Sequence, residues 1–304
     1  MINLQDFKFT NTREVFSIED HSADGGVPLL KFRMFDRFDW MEHGITTRAG
    51  GGSKGIFSEL NLSFTRGDDR AAVDEYFHRT AISLHAEVSD VVLTDQTHTA
   101  NVRVVTREDC GKGILRERDY KDIDGLVTNE PGVVLSAFFA DCVPLFLIDP
   151  VHRAVGVSHS GWRGTLARMG RETIRVMQKN YGSVPQQMYG AVAPSICQSC
   201  YEVSEDVAQQ FIQQFQGAGT QLCAPAALGK YQLNLWKANE LVLLEAGILK
   251  EHLAVTNLCT CCNPKLLFSH RASHGKRGNF GAFVKIKERS EKDRCDNHYA
   301  YLFH

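Results

Sequence analysis

The chain has 304 residues, of which 43% are hydrophobic and 23% charged, and its formal net charge is −2. This length and apolar content are enough for a sizeable hydrophobic core. A near-neutral charge without a dense run of lysine or arginine argues against the basic surface that nucleic acid binding requires, so we expect no nucleic acid partner.

The sequence also predicts a compartment. Residues 1–16 lack the apolar core of a secretion signal, and the longest apolar stretch, 133–148, is interrupted by Asp141 and Pro144 and is too short to cross a bilayer. Nine cysteines, an odd number, are typical of reduced thiols when no export signal accompanies them. We expect a cytoplasmic protein with no membrane partner, and no feature of the sequence indicates its oligomeric state.

The amino-terminal third combines strand-like runs with one amphipathic helix. Apolar runs predict strands at 29–32, 43–47, 91–93 and 102–105. Four apolar residues at helical spacing predict a helix that begins at Asp68-Asp69 and ends near Ala86. These four residues are Val73, Phe77, Ala81 and Leu84.

The rest of the chain continues this mixture. The predicted strands are two within 133–148 and others at 154–158, 253–256, 266–269 and 280–286. The predicted helices are 165–181, 204–215 and 235–246, the last ending at Gly247. Short links between several strands favour a mixed sheet over a parallel one. We predict an α+β fold, a single mixed α/β domain over 1–304 with a mixed β-sheet, flanking helices and a peripheral charged tail from Lys287.

Three reactive side chains follow apolar runs. Cys142 follows the run at 133–139, His159 follows 154–158, and His98 lies shortly after 91–93. A thiol and an imidazole at neighbouring strand ends indicate either a Cys-His nucleophile pair or two ligands of a zinc-type ion. With His98 as a third ligand, the wide spacing fits a catalytic zinc site with an open position better than a compact zinc finger.

Five further cysteines form a C-x-x-C pair and a C-x-C-C group. Such pairs suggest a structural zinc site, but the two groups are far apart and the second is irregular, so we interpret them as small buried residues near the active site. The five are Cys197, Cys200, Cys259, Cys261 and Cys262. The remaining cysteines are interpreted as structural residues, namely Cys110, Cys223 and Cys295.

Several strings, taken in order, resemble the bacterial polyphenol oxidase laccase-domain family. This family is also called peptidoglycan editing factor, and its enzymes are described as purine nucleoside phosphorylases. The resemblance covers about 43–286, which we take as the core, and ADC followed by H-x-GWRG is its most specific part. The strings are HGITTRAGG (43–51), SELNLSFTRGDD (58–69), LTDQTHTANVRVV (93–105), DGLVTNEPG (124–132), ADCVPL (140–145), HSGWRGT (159–165), APSICQSCYEVSEDV (193–207) and LCTCCNPKLLFSHR (258–271).

The resemblance implies an activity and a metal. The substrates would be purine nucleosides such as adenosine, inosine or 5′-methylthioadenosine, together with phosphate. The reactions would be phosphorolysis of the N-glycosidic bond and hydrolytic deamination of adenosine. The resemblance implies Zn²⁺ bound by His98, Cys142 and His159, which would also be the catalytic residues.

The resemblance also suggests substrate contacts. Arg48 follows a short strand and precedes three glycines, and Arg163 lies in a glycine-rich turn before a predicted helix, where an anion such as phosphate could bind. Those glycines could equally do no more than shape turns. Asn61 is predicted to contact ribose or base, and Asp141 to orient a metal ligand.

Departures from the family pattern leave the preferred nucleoside open. The family commonly has Q-V-H-G where this chain has Gln96-Thr97-His98-Thr99. A later Gly-Arg of the family corresponds either to Gly278-Asn279 or to Lys276-Arg277.

The sequence also bears on copper as an alternative metal and on two alternative functions. Multicopper oxidases hold copper largely through His-x-His pairs, and this chain has 12 histidines but no such pair, so copper is less well supported than zinc. In one alternative, Cys142 is the nucleophile and His159 the base of a hydrolase acting on peptidoglycan precursors. In the other, the protein is a non-catalytic, zinc-dependent binding module.

Overall fold

Fifteen strands and six α-helices form the framework of the residues that the computed structural model describes, which are 2–288. The strands are β1 Phe16–Asp20, β2 Pro28–Phe32, β3 Met41–Thr46, β4 Val91–Leu93, β5 Val102–Val104, β6 Gly125–Thr128, β7 Val134–Phe139, β8 Val143–Asp149, β9 Ala154–Ser160, β10 Tyr189–Val192, β11 Glu202–Ser204, β12 Cys223–Pro225, β13 Lys230–Leu233, β14 Leu253–Val255 and β15 Phe280–Ile286. The helices are α1 Arg70–Ser83, α2 Trp162–Leu166, α3 Met169–Tyr181, α4 Glu205–Gln214, α5 Gly219–Leu222 and α6 Leu235–Glu245. Most of the tail predicted to be peripheral, including Cys295, lies outside the described residues.

The strands form two large mixed sheets and one small sheet. The first large sheet has the order β1-β2-β3-β15-β7-β4, and only its β4–β7 pair is parallel. The second has the order β14-β10-β8-β9-β6-β5, with parallel pairs at its two edges. A small antiparallel sheet, β11-β13-β12, was not predicted. The mixed α/β fold with mixed sheets is therefore confirmed.

The main core lies between the two large sheets. Phe139 and Ala282 of the first sheet and Phe146 and Val157 of the second are fully or almost fully buried in one apolar cluster. Each large side chain of this kind contributes roughly 1.5–3 kcal/mol by its burial. The outer face of the first sheet is covered by α1, and that of the second by α3 and α6. No helix within 2–288 combines the length and the apolar character that a membrane span requires.

Some predicted elements differ from the observed ones. The helix predicted over 165–181 is two helices, because Arg168 adopts a left-handed conformation with φ 60° between α2 and α3. The Arg168 guanidinium lies 3.9 Å from the centre of the Phe215 ring and pairs with Glu245 at 3.1 Å. The predicted strand at 266–269 is wrong, since this segment is a buried loop. Its apolar residues fill the core without pairing to a strand.

Candidate metal centre

Strand pairing brings Cys142 and His159 together. The antiparallel hairpin of β8 and β9 sets Pro144 opposite His159, and Cys142 immediately precedes β8. On the other side of β9, Gly125 of β6 lies opposite Ser158, so Asp124 is also beside His159. Apolar sequences form these strands. Their neighbouring ends place a thiol, an imidazole and a carboxylate close together at one end of the inner strands of the second sheet.

His98 reaches these strand ends from the loop that follows β4. Asp124 is fully buried and accepts backbone N–H groups of Thr97 at 3.1 Å, His98 at 3.1 Å and Thr99 at 2.9 Å. His98 itself has φ 67°, a left-handed conformation that costs energy for a residue with a β-carbon. The hydrogen bonds to Asp124 hold the loop in this conformation.

The three side chains form a compact donor group. One donor atom from each of His98, Cys142 and His159 lies within 4.8 Å of the others, and the Cys142 Sγ to His98 Nε2 distance is 4.0 Å. The two imidazole rings are edge to face, with centroids 4.9 Å apart. A β-carbon at Gly161 would lie 3.0 Å from the Cys142 sulfur and 3.1 Å from the His98 ring. The glycine after β9 therefore leaves room for this group, which could hold a metal ion.

Asp124 orients His159. Its Oδ1 lies 2.7 Å from His159 Nδ1, which leaves Nε2 as the free donor atom of the ring. A carboxylate behind a histidine is the usual arrangement at protein metal sites, because it fixes the ring and makes it more basic. This role of Asp124 was not predicted from the sequence, although Asp124 is the first residue of the family-like string DGLVTNEPG.

Electrostatics favour a thiolate at Cys142. Burial would raise the pKa of its thiol, but the charge and hydrogen bond of His159, with a contribution from His98, lower it to about 6. Burial would lower the pKa of His159, but the Cys142 charge and the Asp124 hydrogen bond raise it to about 9. These shifts favour a thiolate and an imidazolium in the metal-free pair, and the thiolate is the form of cysteine that binds a metal.

Asp141 supports the site from a different position than predicted. Its carboxylate accepts the Thr260 hydroxyl at 2.6 Å and the Arg271 backbone N–H at 2.7 Å. It has φ 87°, so both of its carboxylate bonds help to hold a strained turn just before Cys142. Asp124 rather than Asp141 contacts a histidine of the donor group.

The donor group lies at one wall of a cavity of about 310 Å³. This volume is at the lower end of the range for small-molecule sites. Three arginines also line the cavity. Arg118 pairs with Asp95 at 3.1 Å, whereas no carboxylate within 2–288 forms an ion pair with Arg66 or Arg277. Burial, followed by the positive charge of Arg66, lowers the pKa of Arg277 to about 10, and the buried Arg277 Nε has no hydrogen-bond partner there. The part of the cavity lined by Arg66 and Arg277 is thus suited to an anion.

The three residues predicted to bind substrate do not line this cavity. Arg48 donates to the carbonyls of Ser58 and Pro264, the latter at 2.7 Å. Arg163 is exposed, with its guanidinium 4.2 Å from the centre of the Trp162 ring.

Asn61 is fully buried and acts on the cavity wall from behind. It accepts the Asn279 backbone N–H at 2.9 Å and donates to Asp68 at 3.0 Å. Because Asn279 lines the cavity next to Arg277, Asn61 positions that wall. Arg66 lies within a family-like string but was not singled out from it, and Arg277 was noted only as one of two possible matches.

Most of the chain matches one protein family. The family model described as "Multi-copper polyphenol oxidoreductase laccase" matches residues 42–287. The chain belongs to this family.

Relatives within the family carry two kinds of name. A Bacillus subtilis protein, "Purine nucleoside phosphorylase YlmD", is 37% identical over 81% of this chain and 88% of its own length. "Adenosine deaminase RL5", from an unknown prokaryotic organism, is 32% identical over 74% of this chain and 86% of its own length. The crystal structure of Bacillus licheniformis hypothetical protein YfiH covers 85% of this chain and 96% of that one, with 31% identity and a TM-score of 0.81. The fold is therefore that of the family, and the names of relatives point to purine nucleoside chemistry.

Proposed function

We propose that this protein is a zinc-dependent purine nucleoside phosphorylase that also deaminates adenosine. Its substrates would be adenosine, inosine or 5′-methylthioadenosine together with phosphate, in the cytoplasm. One observation carries the proposal: a three-residue donor group faces the same cavity as two arginines that have no carboxylate partner among the described residues. The names of the relatives supply the substrate class.

The donor group fits zinc. One thiolate and two imidazoles are ligands that zinc accepts, and three protein ligands are typical of a catalytic site with a position left open. A zinc ion bound there would supply Lewis-acid chemistry, which activates water or polarises a substrate atom. Asp124 would keep the His159 ring turned so that Nε2 faces the ion, since its carboxylate already accepts the Nδ1 proton.

Phosphorolysis would use two arginines of the same cavity. A phosphate oxygen forms a bond to the anomeric carbon of the ribose while the bond from that carbon to the base breaks, and the base nitrogen keeps the electron pair and gains a proton. Arg66 and Arg277 would hold the phosphate, because a guanidinium offers paired N–H groups to phosphate oxygens. Deamination requires no phosphate, so the two reactions would depend differently on these arginines.

This difference gives the test. The protein is incubated with adenosine, with and without phosphate, and adenine, inosine and hypoxanthine are separated by chromatography. We expect free base only when phosphate is present, and inosine in both conditions. In Arg277→Gln we expect the KM for phosphate to rise at least about tenfold, equivalent to about 1.4 kcal/mol of binding, while inosine formation without phosphate is retained.

The matched control is Arg163→Gln, an exposed arginine outside the cavity lining, which should leave both reactions unchanged. Cys142→Ala should abolish both. No turnover by zinc-loaded wild-type protein would refute the proposal. Turnover of any nucleoside would in turn exclude a non-catalytic binding module.

A second candidate rests on the Cys142 thiolate. The thiolate–imidazolium pair with His159, backed by Asp124, is also the arrangement of a cysteine hydrolase, which could act on peptidoglycan precursors. Metal dependence separates the two, because a zinc-bound thiolate is a poor nucleophile. Hydrolysis of an amide substrate that persists after metal removal would favour the hydrolase.

A further inference from the structure

Four cysteines form one group in the structure, although the sequence pattern favoured small buried residues without a shared role. Cys197 and Cys200 lie in the loop after β10, and Cys259 and Cys262 in the loop after β14. The four sulfur atoms lie within 4.8 Å of one another. The loops run side by side, since Ser195 and Cys259 form a parallel bridge. The wide separation in sequence, which argued against a metal site, is closed by the fold.

A backbone N–H points at one of the sulfurs across the two loops. The Cys197 N–H donates to the Cys259 sulfur at 3.2 Å. Such bonds stabilise a negative charge on sulfur, and metal-bound thiolates require them as supporting contacts.

The distances fit four ligands of one ion. Tetrahedral zinc with bonds of about 2.3 Å to sulfur places neighbouring sulfurs about 3.8 Å apart. The Cys200 and Cys262 sulfurs are 3.5 Å apart, whereas a disulfide would bring them to about 2.05 Å.

Charge and enclosure agree with a closed site. Cys197 and Cys259 are buried, and none of the four cysteines lines the cavity of the candidate metal centre. Four thiolates around a divalent ion carry a net charge of about −2. The Arg271 guanidinium lies beside them, donating to the Cys200 carbonyl at 3.2 Å and the Glu202 carbonyl at 2.8 Å.

We propose that Cys197, Cys200, Cys259 and Cys262 bind a structural zinc ion. Four sulfur ligands leave no open position for substrate, so the ion acts by tying the two loops together. These loops bracket the chain segment that contains the small sheet and α4 to α6. Because Thr260, between the two ligands of the second loop, donates to Asp141 next to Cys142, the ion also positions the candidate metal centre.

The test counts metal in full-length protein purified under reducing conditions. Cys142→Ala removes a ligand of the candidate metal centre, so it isolates the second site. We expect one zinc ion per chain in Cys142→Ala by mass spectrometry of the metal, and none after Cys197→Ser is added. The matched control adds Cys261→Ser instead, a cysteine of the second loop that is not one of the four, and should keep the ion.

A folded Cys142→Ala protein without zinc would overturn the proposal, and so would two disulfides among the four cysteines in the mass spectrum of the purified protein. Iron in place of zinc would overturn the choice of metal. If Cys197→Ser fails to fold, X-ray absorption at the zinc edge of Cys142→Ala decides instead. Four sulfur neighbours at about 2.3 Å are expected, and nitrogen or oxygen neighbours would refute the site.

Discussion

The two cysteine-containing groups of this chain differ in donor set and in surroundings. The group of His98, Cys142 and His159 has three donors of mixed type and opens on a cavity, whereas the four-cysteine group has only sulfur and lies between two loops away from that cavity. Zinc sites divide in the same way, into catalytic sites with an open position and closed structural sites. Cysteine content alone therefore does not identify a reactive site. The number of ligands and their access to a cavity distinguish the two groups.

The two groups are also connected. Thr260 lies between ligands of one group and donates to Asp141, which immediately precedes a ligand of the other. Asp141 and Asp124 each use a buried carboxylate to hold a left-handed residue, Asp141 itself in one case and His98 in the other. The geometry of the donor group thus depends on hydrogen bonds made outside it.

Treatment with a chelator should give the largest difference between the two groups, which is a difference in metal retention. A chelator should remove the ion of the open, three-ligand site while the closed four-sulfur site keeps its own. We expect nucleoside turnover to fall about 10³-fold or more, since Lewis-acid stabilisation contributes several kcal/mol and each 1.4 kcal/mol is tenfold. Turnover, metal content and circular dichroism are measured before and after dialysis, and added zinc should restore turnover. Full turnover by protein holding only one ion per chain would contradict the distinction.

Thiol reactivity should separate the groups next. In metal-stripped protein, Cys142 has a pKa of about 6, below that of an ordinary thiol, so its thiolate is present above pH 6 and is lost as the pH falls through 6. At pH 7 the thiolate fraction should be about 100-fold larger than for a thiol with a pKa near 9. Iodoacetamide labelling followed by peptide mass spectrometry, from pH 5 to 9, measures this. Burial raises the pKa of Cys223 to about 11, so Cys223 should stay unlabelled.

His159→Gln is the decisive control for this labelling. Without the imidazolium, burial dominates and the midpoint for Cys142 should move up in pH. An unchanged midpoint near pH 6 would show that His159 does not set the thiolate.

Asp124→Asn should weaken metal binding at the open site by about 10- to 100-fold, the usual cost of losing the carboxylate behind a metal-binding histidine. An amide has one acceptor oxygen, so it cannot accept both the His159 ring and all the N–H groups of the 97–99 loop. Zinc affinity is measured by competition with a chromophoric chelator in a protein that also carries Cys197→Ser. Asp39→Asn, an exposed aspartate outside the cavity lining and the 97–99 loop, is the control and should bind zinc normally. Equal affinities in the two variants would refute the role of Asp124.

Local pattern predicted much of this fold and part of the site. The strand at 280–286 was predicted at its observed bounds, because an apolar run between polar flanks needs no information from elsewhere. Cys142 and His159 were placed at strand ends for the same reason, and the structure brings both beside His98.

Features that depend on pairing between distant segments were not predictable in this way. Asp124 orients His159 only because β6 lies beside β9, and this neighbour relation has no local signal. Arg277 reaches the cavity through a loop held by Asn61, more than 200 residues earlier in the chain. Arg48 lies in a pattern suited to binding an anion, but its guanidinium donates to the nearby Ser58 carbonyl and to the carbonyl of Pro264 in a distant loop.

The smallest expected effect tests the connection between the groups. Thr260→Val keeps the volume of this fully buried residue but removes the hydroxyl that Asp141 accepts at 2.6 Å. A buried carboxylate oxygen without its partner should lower the free energy of unfolding by about 1–3 kcal/mol, measured by urea titration. Thr260→Ser keeps the hydroxyl and loses a methyl group, worth about 0.8 kcal/mol. If the hydrogen bond matters, the serine variant is therefore the more stable of the two and keeps the higher turnover. A valine variant as stable and active as the serine variant would mean that the four-cysteine group and the open site are independent.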